Sequence, residues 1–159
     1  MKNIVLIFLL IAFCIQVKAE SLVTYKAPAD AEAAPEFELE INGQKIFVYN
    51  TRIAAFAYFS FEGKVDVKVT FLNPVYNFDI RPKSKNIVGD LYRNQIHFSL
   101  ENPVNISVEI NKNIKRPLFI FASPLETDIP DKTSENVIFF EAGKIHYPGE
   151  VMIKSNQTV

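Results

Sequence analysis

Apolar residues recur at every second position through two separate runs of this chain, and that spacing leaves the backbone little choice. In residues 64–71, Val65, Val67, Val69 and Phe71 alternate with Lys64, Asp66, Lys68 and Thr70. In residues 94–110, Ile96, Phe98 and Leu100 alternate with Gln95, His97 and Ser99. After Glu101-Asn102-Pro103 the alternation resumes at Val104, Ile106, Val108 and Ile110, against Asn105, Ser107 and Glu109. Side chains on a strand repeat every two residues and on a helix every 3.6, so these runs are half-buried antiparallel strands. Val67 and Ile106, each the middle of an inward series, are expected in one core.

The rest of the chain follows the same pattern. Leu22 to Tyr25 reads as an edge strand, and residues 27–35, bounded by prolines, as an extended loop. Phe37, Leu39 and Ile41 alternate with glutamates up to Asn42-Gly43, the strongest short hairpin signal because both residues tolerate positive φ; residues 44–49 return as the partner. Residues 56–61 are apolar on nearly both faces, and Glu62-Gly63 turns the chain. Residues 75–80 lead through a polar connection to residue 94. Beyond residue 110, strands are expected at 118–121, 137–140 and 151–154, separated by a polar loop at 124–136 and a turn at His146-Tyr147-Pro148-Gly149. Roughly ten strands spaced by turn signals indicate a sandwich or barrel. Fourteen Phe and six Tyr against five Gly suit strands, and 159 residues suffice for one domain with a core of its own.

Residues 1–19 are set apart from this domain. Lys2 precedes an apolar run, and Val17-Lys18-Ala19 places small or aliphatic residues before a cut that would leave Glu20 first. That is the form of a secretory signal peptide, shorter than a comfortable membrane span, and it implies a secreted or periplasmic protein. The one cysteine, Cys14, falls inside the apolar run, so the exported chain would carry no disulfide and no thiolate ligand. A net charge of -1 favours neither nucleic acid nor an anionic membrane as partner.

Several short stretches carry a resemblance: Asp79-Ile80-Arg81-Pro82, Glu101-Asn102-Pro103, Ser107-Val108-Glu109-Ile110, Pro117 to Pro124, Phe140 to His146, and Ser155-Asn156-Gln157-Thr158-Val159. In that order they resemble the N-terminal β-sandwich of secreted bacterial polysaccharide hydrolases built on a right-handed parallel β-helix. Those hydrolases include relatives of the family 28 polygalacturonases and of the family 49 dextranase group, in which Gln-Thr-Val at this place enters the first coils of the helix. The resemblance implies an all-β, immunoglobulin-like antiparallel β-sandwich over residues 20–150. It also implies the start of a β-helix at residues 151–159, and a parent enzyme acting on polysaccharide, pectic material before dextran. The chain stops where the catalytic helix would begin, which reads as a truncated product or fragmentary gene model.

No catalytic residue can be carried over. Such hydrolases use clustered carboxylates, with Asn-Thr-Asp, Asp-Asp, Gly-His-Gly and Arg-Ile-Lys signatures. Only Asn77-Phe78-Asp79 imitates one of them, and it reads as a turn or strand end. His97 and His146 stand apart without a spaced carboxylate set, which makes a poor metal site, and no cofactor motif is present. Ser60, Ser99 and Ser107 lack a nucleophile elbow. Asn105-Ile106-Ser107 and Asn156-Gln157-Thr158 are sequons in pattern, expected to be unmodified in a bacterial protein. Tyr58, Tyr76, Tyr92 and Tyr147 are candidate sugar-stacking rings, with core packing or turn anchoring as the plainer role.

One feature points to a partner. Phe119 and Phe121 oppose Leu118 and Ile120, and Ile138 and Phe140 oppose Val137 and Phe139, so both faces of these stretches are apolar. A sandwich buries one face per strand, so the second needs another cover. Two covers are open: a loop such as residues 124–136, or the β-helix domain docking on Phe119, Phe121, Ile138 and Phe140. The main expectation is an accessory domain that positions a catalytic β-helix in cis, itself without hydrolytic activity. The alternative is an independent secreted carbohydrate-binding or adhesion module.

Overall fold

The computed structural model describes residues 21–159; the expected export signal and Cys14 lie outside the described residues. Among the described residues eleven strands form an all-β sandwich of two sheets. Sheet I holds β1 (Ser21–Thr24), β4 (Tyr49–Asn50), β5 (Ala55–Glu62), β7 (Phe78–Arg81), β10 (Val104–Ile110) and β11 (Leu118–Ser123). Its order is β1-β5-β11-β10-β7, and β4 shares with β1 the outer edge of β5. Sheet II runs β3-β2-β6-β9-β8, from β2 (Phe37–Ile41), β3 (Gln44–Ile46), β6 (Val65–Phe71), β8 (Gly89–Tyr92) and β9 (Gln95–Leu100). Among the described residues every pairing between these strands is antiparallel except β5 with β11, which run side by side in the same direction, Phe56 opposite Phe119 and Tyr58 opposite Phe121.

The alternating series supply the core between the sheets. Leu39, Val67, Val69 and Ile96 from sheet II meet Phe59, Phe61, Ile106, Val108, Leu118 and Ile120 from sheet I. Val67 and Ile106 share this one core, at 2% and 3% exposure. The hairpin at Asn42-Gly43 forms with both residues at positive φ, 49° and 77°, where glycine has no Cβ to clash. Gly63, at φ 87°, turns the chain from β5 in sheet I to β6 in sheet II.

Four expectations change. The strands either side of Glu101-Asn102-Pro103, β9 and β10, do not neighbour each other but lie in opposite sheets, because alternation fixes which face is buried and not which strand is adjacent. Thr70, on the polar side of β6, is buried between cross-strand partners Glu38 and Gln95. The polar connection after Pro82 contains a single 3-10 turn at Lys83–Lys85 and then the edge strand β8. Residues 137–140 and 151–154 are not strands, and the last strand ends at Ser123. An apolar run becomes a strand only where a neighbour takes its backbone groups, and here one bridge forms. Val137 pairs with Thr158 in parallel; Ile138 N–H donates to Thr158 O (2.8 Å) and Thr158 N–H to Asn136 O (2.9 Å).

Candidate functional site

The outer face of sheet I is where side chains with chemical possibilities gather. Since Leu118, Ile120 and Ala122 point into the core, Phe119 and Phe121 must point out, and they are 38% and 39% exposed. The parallel register sets Phe56 and Tyr58 beside them, and β4 adds Tyr49. The rings connect in sequence. Phe119 and Phe121 lie 6.2 Å apart with planes 21° from parallel; Phe121 meets Phe56 at 6.3 Å, and Phe56 stacks on Tyr49 at 4.8 Å. Tyr49 continues to Tyr58 at 5.6 Å, and Tyr58 to Tyr25 at 5.2 Å. The Tyr49 and Tyr58 hydroxyls are 3.3 Å apart, and Tyr25 pairs with the buried Ser60 hydroxyl at 2.9 Å. Burial, reinforced by the Tyr58 hydroxyl, pushes the Tyr49 phenol far above its ordinary range, so it stays neutral.

On the other side of the two phenylalanines the face turns polar. Asn105 stands opposite Phe121 and Ser107 opposite Phe119, with Arg81 opposite Ser107 on the next strand. Arg81, Pro82, Lys83, Asn105, Ser107 and the two Phe rings line an open cleft of about 540 Å3. Arg81 donates from Nε to Glu109 (2.9 Å), and Lys83 pairs with Asp79. Lys83, hydrogen-bonded to the Asp79 carboxylate, holds it below the usual range against the opposing effect of desolvation. Both cations of the cleft thus have a carboxylate of their own. The Asn105 amide and the Ser107 hydroxyl form no hydrogen bond among the described residues.

The other sequence candidates fall elsewhere. Asn77-Phe78-Asp79 is a strand end: Asn77 O accepts from Asn111 N–H (2.9 Å), and Phe78 packs on the core. His97 is exposed on β9 between Lys68 and Asp90, whereas His146 meets the Glu141 carbonyl at 2.7 Å and the Phe140 ring at 5.3 Å. Among the described residues no group of three or more His, Cys, Asp or Glu is placed to hold a metal. The Ser99 hydroxyl donates to Asp66 (2.7 Å). Of the four tyrosines singled out, Tyr58 alone joins the aromatic row; Tyr76, Tyr92 and Tyr147 are exposed on other segments, Tyr92 under the Arg93 guanidinium. Ile138 and Phe140 are half-buried in the tail after Ser123 and belong to no sheet. The rings that alternation did not single out, Tyr25, Tyr49 and Phe56, are brought in by the β1, β4 and β11 pairings of β5.

This two-sheet fold has a counterpart among solved structures. The fold is similar to that of Dex49A from Penicillium minioluteum. The match has a TM-score of 0.53 at 18% identity and covers 72% of this chain and 33% of Dex49A. At that identity the likeness to Dex49A is one of fold, and this chain spans about a third of its length. No family model matches the chain, and no curated protein sequence matches it.

Proposed function

We propose that this chain is the N-terminal accessory sandwich of a secreted polysaccharide-degrading glycoside hydrolase, which packs against and positions a β-helix catalytic domain. The observation that carries the reading is the tail. Beyond Ser123 the chain leaves the sandwich, passes Val137, runs out through residues 140–154 and returns at Thr158 beside Val137 in the same direction. A chain that comes back parallel to itself after a long excursion makes the pairing on which a parallel β-helix coil is built. Phe139, Met152 and Ile153 are exposed along that excursion, apolar groups that a following coil would cover. In this reading Ile138 and Phe140 belong to the docking side.

The likeness to Dex49A, a family 49 dextranase, supports the hydrolase class, and the sequence motifs support pectic material as substrate, with dextran next. Residues 1–19 would direct export, so mass spectrometry of the secreted protein should find Glu20 first; an intact Met1 would remove secretion from the reading. The accessory role is tested by extending the protein through whatever sequence follows codon 159. The extended form is expected to release reducing ends from polygalacturonate or dextran, and the 159-residue chain to release none. Turnover by the short chain that a single carboxylate substitution abolishes would overturn it, as would an extension without activity on either polymer.

A further inference from the structure

The geometry points to a glycan-binding platform on the outer face of sheet I, with Phe119 and Phe121 as stacking surfaces for the pyranose rings of a neutral polysaccharide and Asn105 and Ser107 as hydrogen-bonding groups at their side. It rests on the accessory-domain reading for the choice of polysaccharide as partner and departs from that reading in one respect: the glycan held on this face is a neutral one, whatever polymer the parent enzyme cleaves.

A sugar ring has an apolar C–H face and a rim of hydroxyls, so its binding surface must offer flat apolar area and unengaged polar groups within the same reach. Phe119 and Phe121 supply the first. Side chains two apart on one strand project the same way, and these rings, their centroids 6.2 Å apart, both keep more than a third of their surface open to solvent. Behind them Phe56, stacked on Tyr49, holds Phe121 in place at low entropic cost, since aromatic side chains have few torsions to fix. The second comes from Asn105 and Ser107, cross-strand neighbours of Phe121 and Phe119, whose amide and hydroxyl are unengaged.

Charge selects the class of glycan. Arg81 and Lys83 border the cleft, but Glu109 and Asp79 neutralise them. An acidic polysaccharide would have to displace those carboxylates, whereas a neutral one meets a locally balanced surface and the remaining guanidinium N–H donors.

Affinity electrophoresis of the 159-residue protein through gels containing dextran, and separately polygalacturonate, tests the assignment without depending on any catalytic activity. Retardation by dextran is expected, with Phe119→Ala or Phe121→Ala raising Kd about tenfold each, the scale of losing one good interfacial contact. Asn105→Ala should weaken binding less, and Tyr92→Ala, on sheet II, not at all. Circular dichroism should show all four variants folded, since each side chain lies outside the core. Absence of retardation by dextran, retardation by polygalacturonate alone, or retardation unchanged in Phe119→Ala and Phe121→Ala would each overturn the platform. If instead the extended hydrolase is inactive while dextran binding depends on Phe119 and Phe121, the platform stands and the accessory role fails.

Discussion

Arg116 reaches from the loop after β10 to three other points of the chain. Its Nε donates to Glu36 Oε1 (2.6 Å), one terminal nitrogen to the Thr51 carbonyl (2.5 Å), and the other to Asn50 Oδ1. Glu36 precedes β2 and Asn50 ends β4, so one side chain ties the β10–β11 loop to both sheets. Its planar fork is what allows three bonds in three directions. Arg116→Ala should cost about 2–3 kcal/mol, because it strands a largely covered carboxylate as well as losing the bonds. Arg116→Lys should recover only a part; urea midpoints measure both. In the core, Val67→Asp or Ile106→Asp buries a carboxylate with no partner, costing several kcal/mol and enough to unfold the domain in a thermal melt. Lys68→Ser loses a half-covered ion pair with Glu40 (2.7 Å) and should cost no more than about 1 kcal/mol. The Asp79 carboxyl, held low by Lys83, gives a pH test. Its contribution is present above the unfolded-state pKa and lost as pH falls through the lower folded value. NMR titration of Asp79 should show a midpoint below that of a free aspartate, moving back up in Lys83→Ala; identical midpoints would remove the pair from the account.

Among the elements, β11 shows best what the sequence discloses and what it withholds. Its four apolar residues in a row, Leu118 to Phe121, make the two faces indistinguishable by periodicity, and only β5 and β10 on either side decide that Leu118 and Ile120 go in. Ile120→Ser should therefore cost several kcal/mol in a denaturant melt, and Phe119→Ser less than about 1 kcal/mol. A larger cost for Phe119→Ser would mean the faces are reversed, and equal costs that burial does not distinguish them. The alternating strands β2, β6, β9 and β10 were legible because each has one polar side, and Asn42-Gly43 because its turn chemistry is local. Not legible were β8, whose residues Gly-Asp-Leu-Tyr have little strand character, and the fate of 137–140, which depends on one distant bridge. The same limit applies to the site. Phe119 and Phe121 could be picked out by their excess apolar face, but their joining to Tyr49, Phe56 and Tyr58 follows from pairing partners far apart in sequence.

At the scale of the molecule, the sheets share the structural burden unequally. Sheet II is a set of antiparallel neighbours, with the hairpins β2–β3 and β8–β9 closed by short turns. Sheet I is held at its centre by the parallel pair of β5 and β11, between which residues 63–117 and five other strands intervene. A chain emerging N-terminus first makes β5 early and its inner neighbour last. Until Leu118–Ser123 is synthesised, one edge of β5 has no partner, and an open apolar edge is where unfolded chains associate. Closing so distant a pair is entropically expensive and slow, in the millisecond-to-second range of non-local β-proteins. A chain ending at Asn113 should accordingly show no amide protection in β5 under hydrogen exchange, while one ending at Ser123 should protect it. The last strand made is thus the moment of commitment for the whole domain, so any factor that acts on the nascent chain has until Ser123 to do so.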